Sequence, residues 1–345
     1  VDAITLANHL TLWGRALLDR VTPRHLINYV RKEQVTENDP VKNSINHFNA
    51  LSVWLVRTIL SRESFEQRVA DSLKFIDVAK RCVILNNFHC AAAIGAGFQH
   101  SAIYRLKATM KAVKKISGDQ LEKINAVTHS SKNYANYRNI INKIAPKSPA
   151  VPYIGITLTD LTFINDGNPD FLGSKKQLIN FRKFRLIYES IFAFHQRFVE
   201  REYTFLKLDT EVARYLSNID VNAQLSTDQK LYNMSTTLID EYEETTVQKL
   251  YTQFRGQSSS VTNDSSTESL GGLSTIESVS NSSSATSLLS KALSSASTSS
   301  LASNSSSSFD MSDMIETVRP KKISPSVSPS TSPADSAARR ISQMF

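Results

Sequence analysis

Large apolar side chains in this chain are nearly all confined to the part before Arg255, and there they recur at helical spacing. That pattern restricts the fold to an α-helical globule followed by a segment with little to bury. Leu6, Leu10, Trp13 and Leu17 stand three and four residues apart, which places them on one helix face. Ile45, Phe48, Leu51, Leu55 and Ile59 repeat the pattern, as do Val69, Leu73, Ile76 and Val83. The small residues Ala91, Ala92, Ala93, Gly95, Ala96 and Gly97 predict a tightly packed helix that another element can approach closely. Further helical patterns cover 102–116, 119–145, 210–218 and 227–252. Ile179, Phe181, Phe184, Ile187, Ile191, Phe194 and Phe198 trace a long helix whose polar side carries Arg182, Lys183, Arg185 and Arg197.

We expect an all-α domain over residues 1–246. A disordered, Ser-rich tail is expected over 247–345, with room for a short helical extension at its start, because serine and threonine offer too little apolar area to offset the entropy of ordering. The chain opens on an apolar stripe without an initiator methionine, which suggests a fragment of a longer protein.

Several function classes find no support. The net charge of +8 invites a nucleic-acid reading, but the lysines and arginines are scattered over polar helix positions with no recognition motif, so we expect a solvated basic surface and no nucleic-acid partner. Cys82 and Cys90 lie inside helical patterns with no secretory signal ahead of them, which points to a reducing, cytoplasmic setting. No run approaches the ~18 uninterrupted apolar residues of a membrane span. Neither glycine-rich phosphate-loop pattern occurs, and His9, His25, His47, His89, His100, His129 and His195 lack metal-ligand spacing. No nucleophile elbow precedes a helix. We therefore expect no cofactor, no metal and no bond-making enzyme.

One segment resists this description. Val151-Pro-Tyr-Ile-Gly-Ile-Thr-Leu-Thr-Asp-Leu-Thr-Phe-Ile-Asn-Asp-Gly-Asn-Pro-Asp170 is apolar, flanked by prolines and set between strong helices. By propensity alone 153–164 reads as a strand and Asp166, Gly167, Asn168 and Pro169 as a turn. Taken with His47-Phe-Asn49, Leu85-Asn-Asn-Phe88, Ser101-Ala-Ile-Tyr-Arg-Leu106, Asn133-Tyr-Ala-Asn-Tyr-Arg138 and Leu178-Ile-Asn-Phe181, it closely resembles the catalytic domain of Ras-family guanine-nucleotide exchange factors, the cell-division-cycle-25 homology domain. The resemblance runs in order from about Val1 to Glu243.

That resemblance implies an all-helical bowl from which a helical hairpin projects, with Tyr153 to Asp166 as one arm and Ile179 to about Val199 as the other. It implies a guanine-nucleotide releasing factor for a Ras-subfamily GTPase, Ras-like or Rap-like. The hairpin would push one switch segment aside, with Thr162 crowding the magnesium site, Asp166 overlapping the α-phosphate position and Asn168 bracing the tip. The other switch would meet Asn49, Ala92, Gln99, Tyr104, Tyr134, Tyr153 and, on the hairpin, Phe163. Aspartate stands at 166 where many relatives carry glutamate, Thr162 is smaller than a leucine found in some, Gln99 replaces a more usual asparagine, and 146–150 looks slightly long. By local chemistry Asp166 is an ordinary turn residue, and Tyr104 and Tyr134 could be plain core tyrosines. The alternative function is a catalytically silent adaptor on the same fold. The protein would be cytoplasmic and recruited to the membrane that carries the lipidated GTPase.

In the tail, Ser324, Ser328 and Ser332 each precede proline, and Ser342 follows Arg339-Arg340-Ile341. These four are candidate phosphorylation sites for partner kinases, since phosphate there would lower a local positive charge.

Overall fold

The computed structural model describes residues 1–260 except 34, 146, 174–177, 200, 225 and 226, and within helices it leaves out the side chains of 220–224 and 255–260. The Ser-rich tail beyond residue 260, with Ser324, Ser328, Ser332 and Ser342, lies outside the described residues. Thirteen α-helices account for most of the described chain. They are α1 (Ala3–Asp19), α2 (Pro23–Arg31), α3 (Pro40–Leu60), α4 (Phe65–Ile84), α5 (Phe88–Phe98), α6 (Ser101–Arg105), α7 (Lys107–Val127), α8 (Ser131–Lys143), α9 (Ile154–Gly167), α10 (Phe181–Phe198), α11 (Thr210–Gln224), α12 (Asp228–Thr237) and α13 (Glu244–Ser260).

The helix starts follow local chemistry. Asp2 accepts from the Thr5 amide at 2.9 Å to begin α1, Asp39 caps α3 just before Pro40, and Ser64 accepts from Gln67 to begin α4. Each side-chain oxygen satisfies an amide that the first turn leaves without a partner. The patterns read as helical over 102–116 and 119–145 become α6, α7 and α8. α7 kinks at Ser117, where φ is −143° beside Gly118, as Ser/Gly pairs commonly do. Within the first turn of α8, Lys132, Asn133 and Tyr134 depart from helical geometry with left-handed φ values of 49°, 54° and 58°.

α5 organises the interior because it is buried on every side. Cys90, Ala91, Ala93 and Ile94 join one large apolar cluster with α1, α3, α4, α7 and α11, while Phe88 and Ala92 join a second with α2, α8, α9 and α10. Gly97 permits this, since a Cβ there would meet the Ser52 carbonyl at 3.0 Å. Toward the C-terminus, Val247 and Leu250 of α13 are buried in the first cluster. Ahead of them Asp240 accepts from the amides of Ala108 and Thr109 and lies 3.4 Å from the buried Arg68 guanidinium. Arg68 also donates to the carbonyls of Arg62, Glu63 and Ile239, so one fully buried cation joins the C-terminal segment to α4 and α7.

Residues 154–167 form a helix, and the strand expected from propensity is absent. Ile154, Ile156, Leu158 and Leu161 are buried in the second cluster, and this packing outweighs the β preference of Ile and Thr. A ribbon of two residue pairs, β1 (Phe171–Leu172) against β2 (Leu178–Ile179), links α9 to α10. The second arm therefore starts at Phe181, later than expected. Ile179 and Phe181 are 50 % and 76 % exposed, so the apolar stripe of α10 is carried by Ile187, Ile191, Phe194 and Phe198. No helix among the described residues is long and apolar enough to cross a membrane.

Candidate functional site

The proline-flanked segment reaches its place by pairing with the start of α5. Phe88 donates its amide to the Val151 carbonyl at 2.9 Å and Val151 donates back to Asn86 at 3.0 Å, while Asn86 takes a left-handed φ of 57°. The buried Asn87 donates its side-chain amide to Thr11 at 3.0 Å and accepts from Cys90. These bonds anchor the residues before α9 to the most buried helix of the fold.

Tyr153 follows at the N-cap of α9, its ring stacked on Phe48 with centroids 5.1 Å apart and an interplanar angle of 22°. Gly155 makes room for it, because a Cβ there would lie 2.8 Å from the Tyr153 ring. Burial pushes the Tyr153 phenol well above its ordinary range. Tyr134 is raised by burial first and then by the charge of Asp160. Both hydroxyls therefore stay neutral and able to donate at physiological pH.

Arg138 secures the left-handed turn. It donates to the Asn133 carbonyl at 2.8 Å and forks onto both oxygens of Asp160 at 2.9 Å, tying α8 to α9.

The structure separates the expected contact residues into two sets. Ala92, Tyr134 and Tyr153 are buried in the second cluster, whereas Asn49, Gln99 and Tyr104 are exposed. Tyr104 is 70 % exposed with the Lys107 ammonium 3.2 Å from its ring centre, so it is not a core tyrosine, while Tyr134 at 5 % exposure is buried. Gln99, at the C-cap of α5, donates to Asn125 at 3.4 Å. It lies seven residues, or ~10 Å of helix, beyond Ala92.

On α9, Thr162, Phe163 and Asp166 are all exposed, Phe163 by 71 %. Thr162 and Asp166 are four apart and share a face. The Thr162 hydroxyl donates to the Leu158 carbonyl at 2.8 Å, and Asp166 accepts from Asn165 at 3.1 Å. Asn168 donates to the Ile164 carbonyl at 2.9 Å, which closes the last turn of α9. Asp166 is thus a carboxylate in the last helical turn, where the helix dipole disfavours negative charge by about 0.3–1 kcal/mol.

Sequence reasoning missed what supports this end of the hairpin. Lys183, expected on the polar side of α10, is only 3 % exposed. Its ammonium donates to the Asn165 carbonyl at 2.8 Å and meets the Asp170 carboxylate at 2.7 Å. That hydrogen bond, with help from Arg31, holds Asp170 below the usual carboxylate range. Asn180 caps α10 and donates to the Pro169 carbonyl at 2.9 Å. A signal for Lys183 existed, since it precedes Ile187 by four and Ile191 by eight and so lies on the apolar stripe.

His47 and His89 are stacked in the core with ring nitrogens 3.1 Å apart. Burial drives His47 well below its ordinary value and His89 down to about 4, so both are neutral. Among the described residues no three His, Cys, Asp or Glu side chains gather in a group that could hold a metal ion.

A family model described as RasGEF domain matches residues 5–185, just over half of the chain. The chain is 36 % identical over 194 residues to Ras guanine nucleotide exchange factor J of Dictyostelium discoideum, an alignment covering 55 % of this chain and 23 % of that protein. With Ras guanine nucleotide exchange factor K of the same organism it shares 32 % over 237 residues, covering 68 % and 15 %. With Ras guanine nucleotide exchange factor efc25 of Schizosaccharomyces pombe it shares 32 % over 179 residues, covering 51 % and 18 %. The chain therefore spans under a quarter of the length of these three relatives.

Proposed function

The chain belongs to the RasGEF domain family, and from that premise we propose that it accelerates GDP release from a Ras-subfamily small GTPase, Ras-like or Rap-like, by pressing the α9–α10 hairpin against the nucleotide site. The observation that carries this reading is the exposed row of Thr162, Phe163 and Asp166 on an arm anchored at both ends. A helix with no partner role would not be expected to place a bulky phenyl ring and a carboxylate in solvent side by side at its last turns.

The chemistry is competition, with no bond made or broken in the GTPase or its nucleotide. A GTPase holds its nucleotide through magnesium and phosphate contacts, and exchange passes through a state in which those contacts are lost. Whatever binds that state best increases its population. Thr162 would crowd the magnesium position. Asp166 would repel the α-phosphate and accept hydrogen bonds from the groups that phosphate leaves. Asn168 holds the tip. Asn49, Gln99 and Tyr104, with Ala92, Tyr134 and Tyr153, would receive the other switch segment. GTP then enters because the cell holds more of it. In this reading the protein is cytoplasmic, its lipidated partner brings it to the membrane, and phosphorylation at Ser324, Ser328, Ser332 and Ser342 would weaken the basic character of the tail.

The test loads Ras, Rap and Ral proteins with fluorescent GDP and follows release. Acceleration on at least one of them, weakened but still measurable with Asp166→Ala and weakened with Tyr153→Ala, is expected. Binding to a nucleotide-free GTPase without acceleration on any of the three would instead identify a silent adaptor.

A further inference from the structure

The geometry points to Lys183 as a positioning residue that sets the pose of Asp166 through Asn165, with Asp170 and Arg31 holding the lysine in place. This rests on the exchange-factor reading above for its functional consequence, and on contacts within this chain for its structure.

Two groups from outside α10 converge on one ammonium group, and Arg31 and Asn180 hold the link that supplies one of them. Lys183, in the first turn of α10, directs its Nζ to the Asn165 carbonyl in the last turn of α9 and to the carboxylate of Asp170 in the link. Asn165 in turn donates its side-chain amide to an oxygen of Asp166 at 3.1 Å. Arg31, at the end of α2, lies 3.5 Å from the same Asp170 oxygen and 5.6 Å from the centre of the Phe184 ring. Asn180 completes the junction, its backbone amide donating to the Asp170 carbonyl at 2.8 Å and its side chain to Pro169.

Packing does not explain this lysine. Its position lies on the stripe that continues as Ile187 and Ile191, both buried, and a leucine there would fill the same space without a charge to desolvate. A buried cation is kept only where it is paired, and its strength is geometric definition more than net stability. Here that definition is applied next to the residue whose reach matters most. Aspartate is one methylene shorter than glutamate, so Asp166 can meet a phosphate position only if the backbone carrying it is held in place. The ammonium also places positive charge at the negative end of α9, which offsets the dipole penalty on the adjacent carboxylate.

The experiment measures exchange on whichever GTPase responds, at varied GTPase concentration, for wild type, Lys183→Met, Lys183→Arg and Asp170→Asn, each with and without Asp166→Ala. Lys183→Met keeps the apolar stem and is expected to lower kcat roughly tenfold or more while KM stays within about threefold. With Asp166→Ala already present, the same change should alter the rate less than about twofold, because its route of action is gone. Lys183→Arg should recover most of the rate. Asp170→Asn, at a partly exposed position, should reproduce the pattern in smaller measure even if Lys183→Met is poorly folded. Losses that multiply independently, or that reside in KM, would overturn the inference. Amide hydrogen exchange of the free protein tests it without any GTPase. Lys183→Met should speed exchange at 165–168 and leave α1 and α3 unchanged, and unaltered protection at 165–168 would refute the role. A wild type inactive on every GTPase, with that protection pattern confirmed, would count against the exchange reading and not against the brace.

Discussion

Replacing Gly155 with alanine should destabilise the protein only while Tyr153 is present. A Cβ at 155 would stand 2.8, 2.9 and 3.0 Å from Cζ, Oη and Cε2 of Tyr153. The ring cannot simply swing away, because it is stacked on Phe48 and 9 % exposed. Overpacking of this kind typically costs about 1–3 kcal/mol. Alanine returns up to about 1 kcal/mol through its better helix propensity, less near a helix start. The net is a loss of about 0.5–2 kcal/mol, which for a domain of this size lowers Tm by roughly 1–8 °C at about 2–4 °C per kcal/mol. In a Tyr153→Ala background the clash is absent and only the propensity gain remains, so Gly155→Ala should leave Tm unchanged or raise it by a few degrees. Thermal unfolding by circular dichroism of the four proteins in this cycle measures both effects. Equal destabilisation in the two backgrounds would show that the glycine is needed for something other than the tyrosine, and would refute the reasoning.

Three other outcomes follow from particular contacts. Arg68→Met should leave three carbonyls without their donor and Asp240 without its cation, and breaking a buried pair of this kind costs about 3–5 kcal/mol, readable as a lower urea midpoint. The buried His47–His89 pair should make the domain acid-sensitive. Both folded values lie below the ordinary value of 6.5, so the unfolded chain takes up protons first, and stability should be constant above about pH 6.5 and fall toward pH 4. Tm measured against pH should flatten over that interval in a His47→Gln/His89→Gln variant, and an unchanged slope would exclude the pair as its source. Arg138→Met should speed amide exchange at Lys132–Tyr134, since it removes the donor that ties this left-handed turn to Asp160. Unchanged protection there would mean that the turn is held by Tyr134 burial alone.

Whatever depends on a repeat or a nearest neighbour is legible in the chain itself. The stripes of α1, α3 and α4 are readable because a helical period selects the face to be buried, and caps such as Asp2 and Ser64 act within three residues of themselves. Order and spacing of the motifs from His47 to Phe181 likewise carry the resemblance to the family. Tertiary structure decided the rest, because the remaining questions concern groups far apart in the chain. Residues 153–164 have a strand's composition although the family resemblance implies a helical arm, and burial against the second cluster is what holds them helical. Tyr104 and Tyr134 look alike in sequence, yet one is exposed and the other buried, since their neighbours come from different elements. Arg68 reads as one more charge on a helix until Ile239 and Asp240 reach it from 171 and 172 residues away. Lys183 reads as polar surface until Asn165 and Asp170 converge on it. A side chain's polarity is local, but whether its burial is tolerable depends on acceptors brought together by the fold.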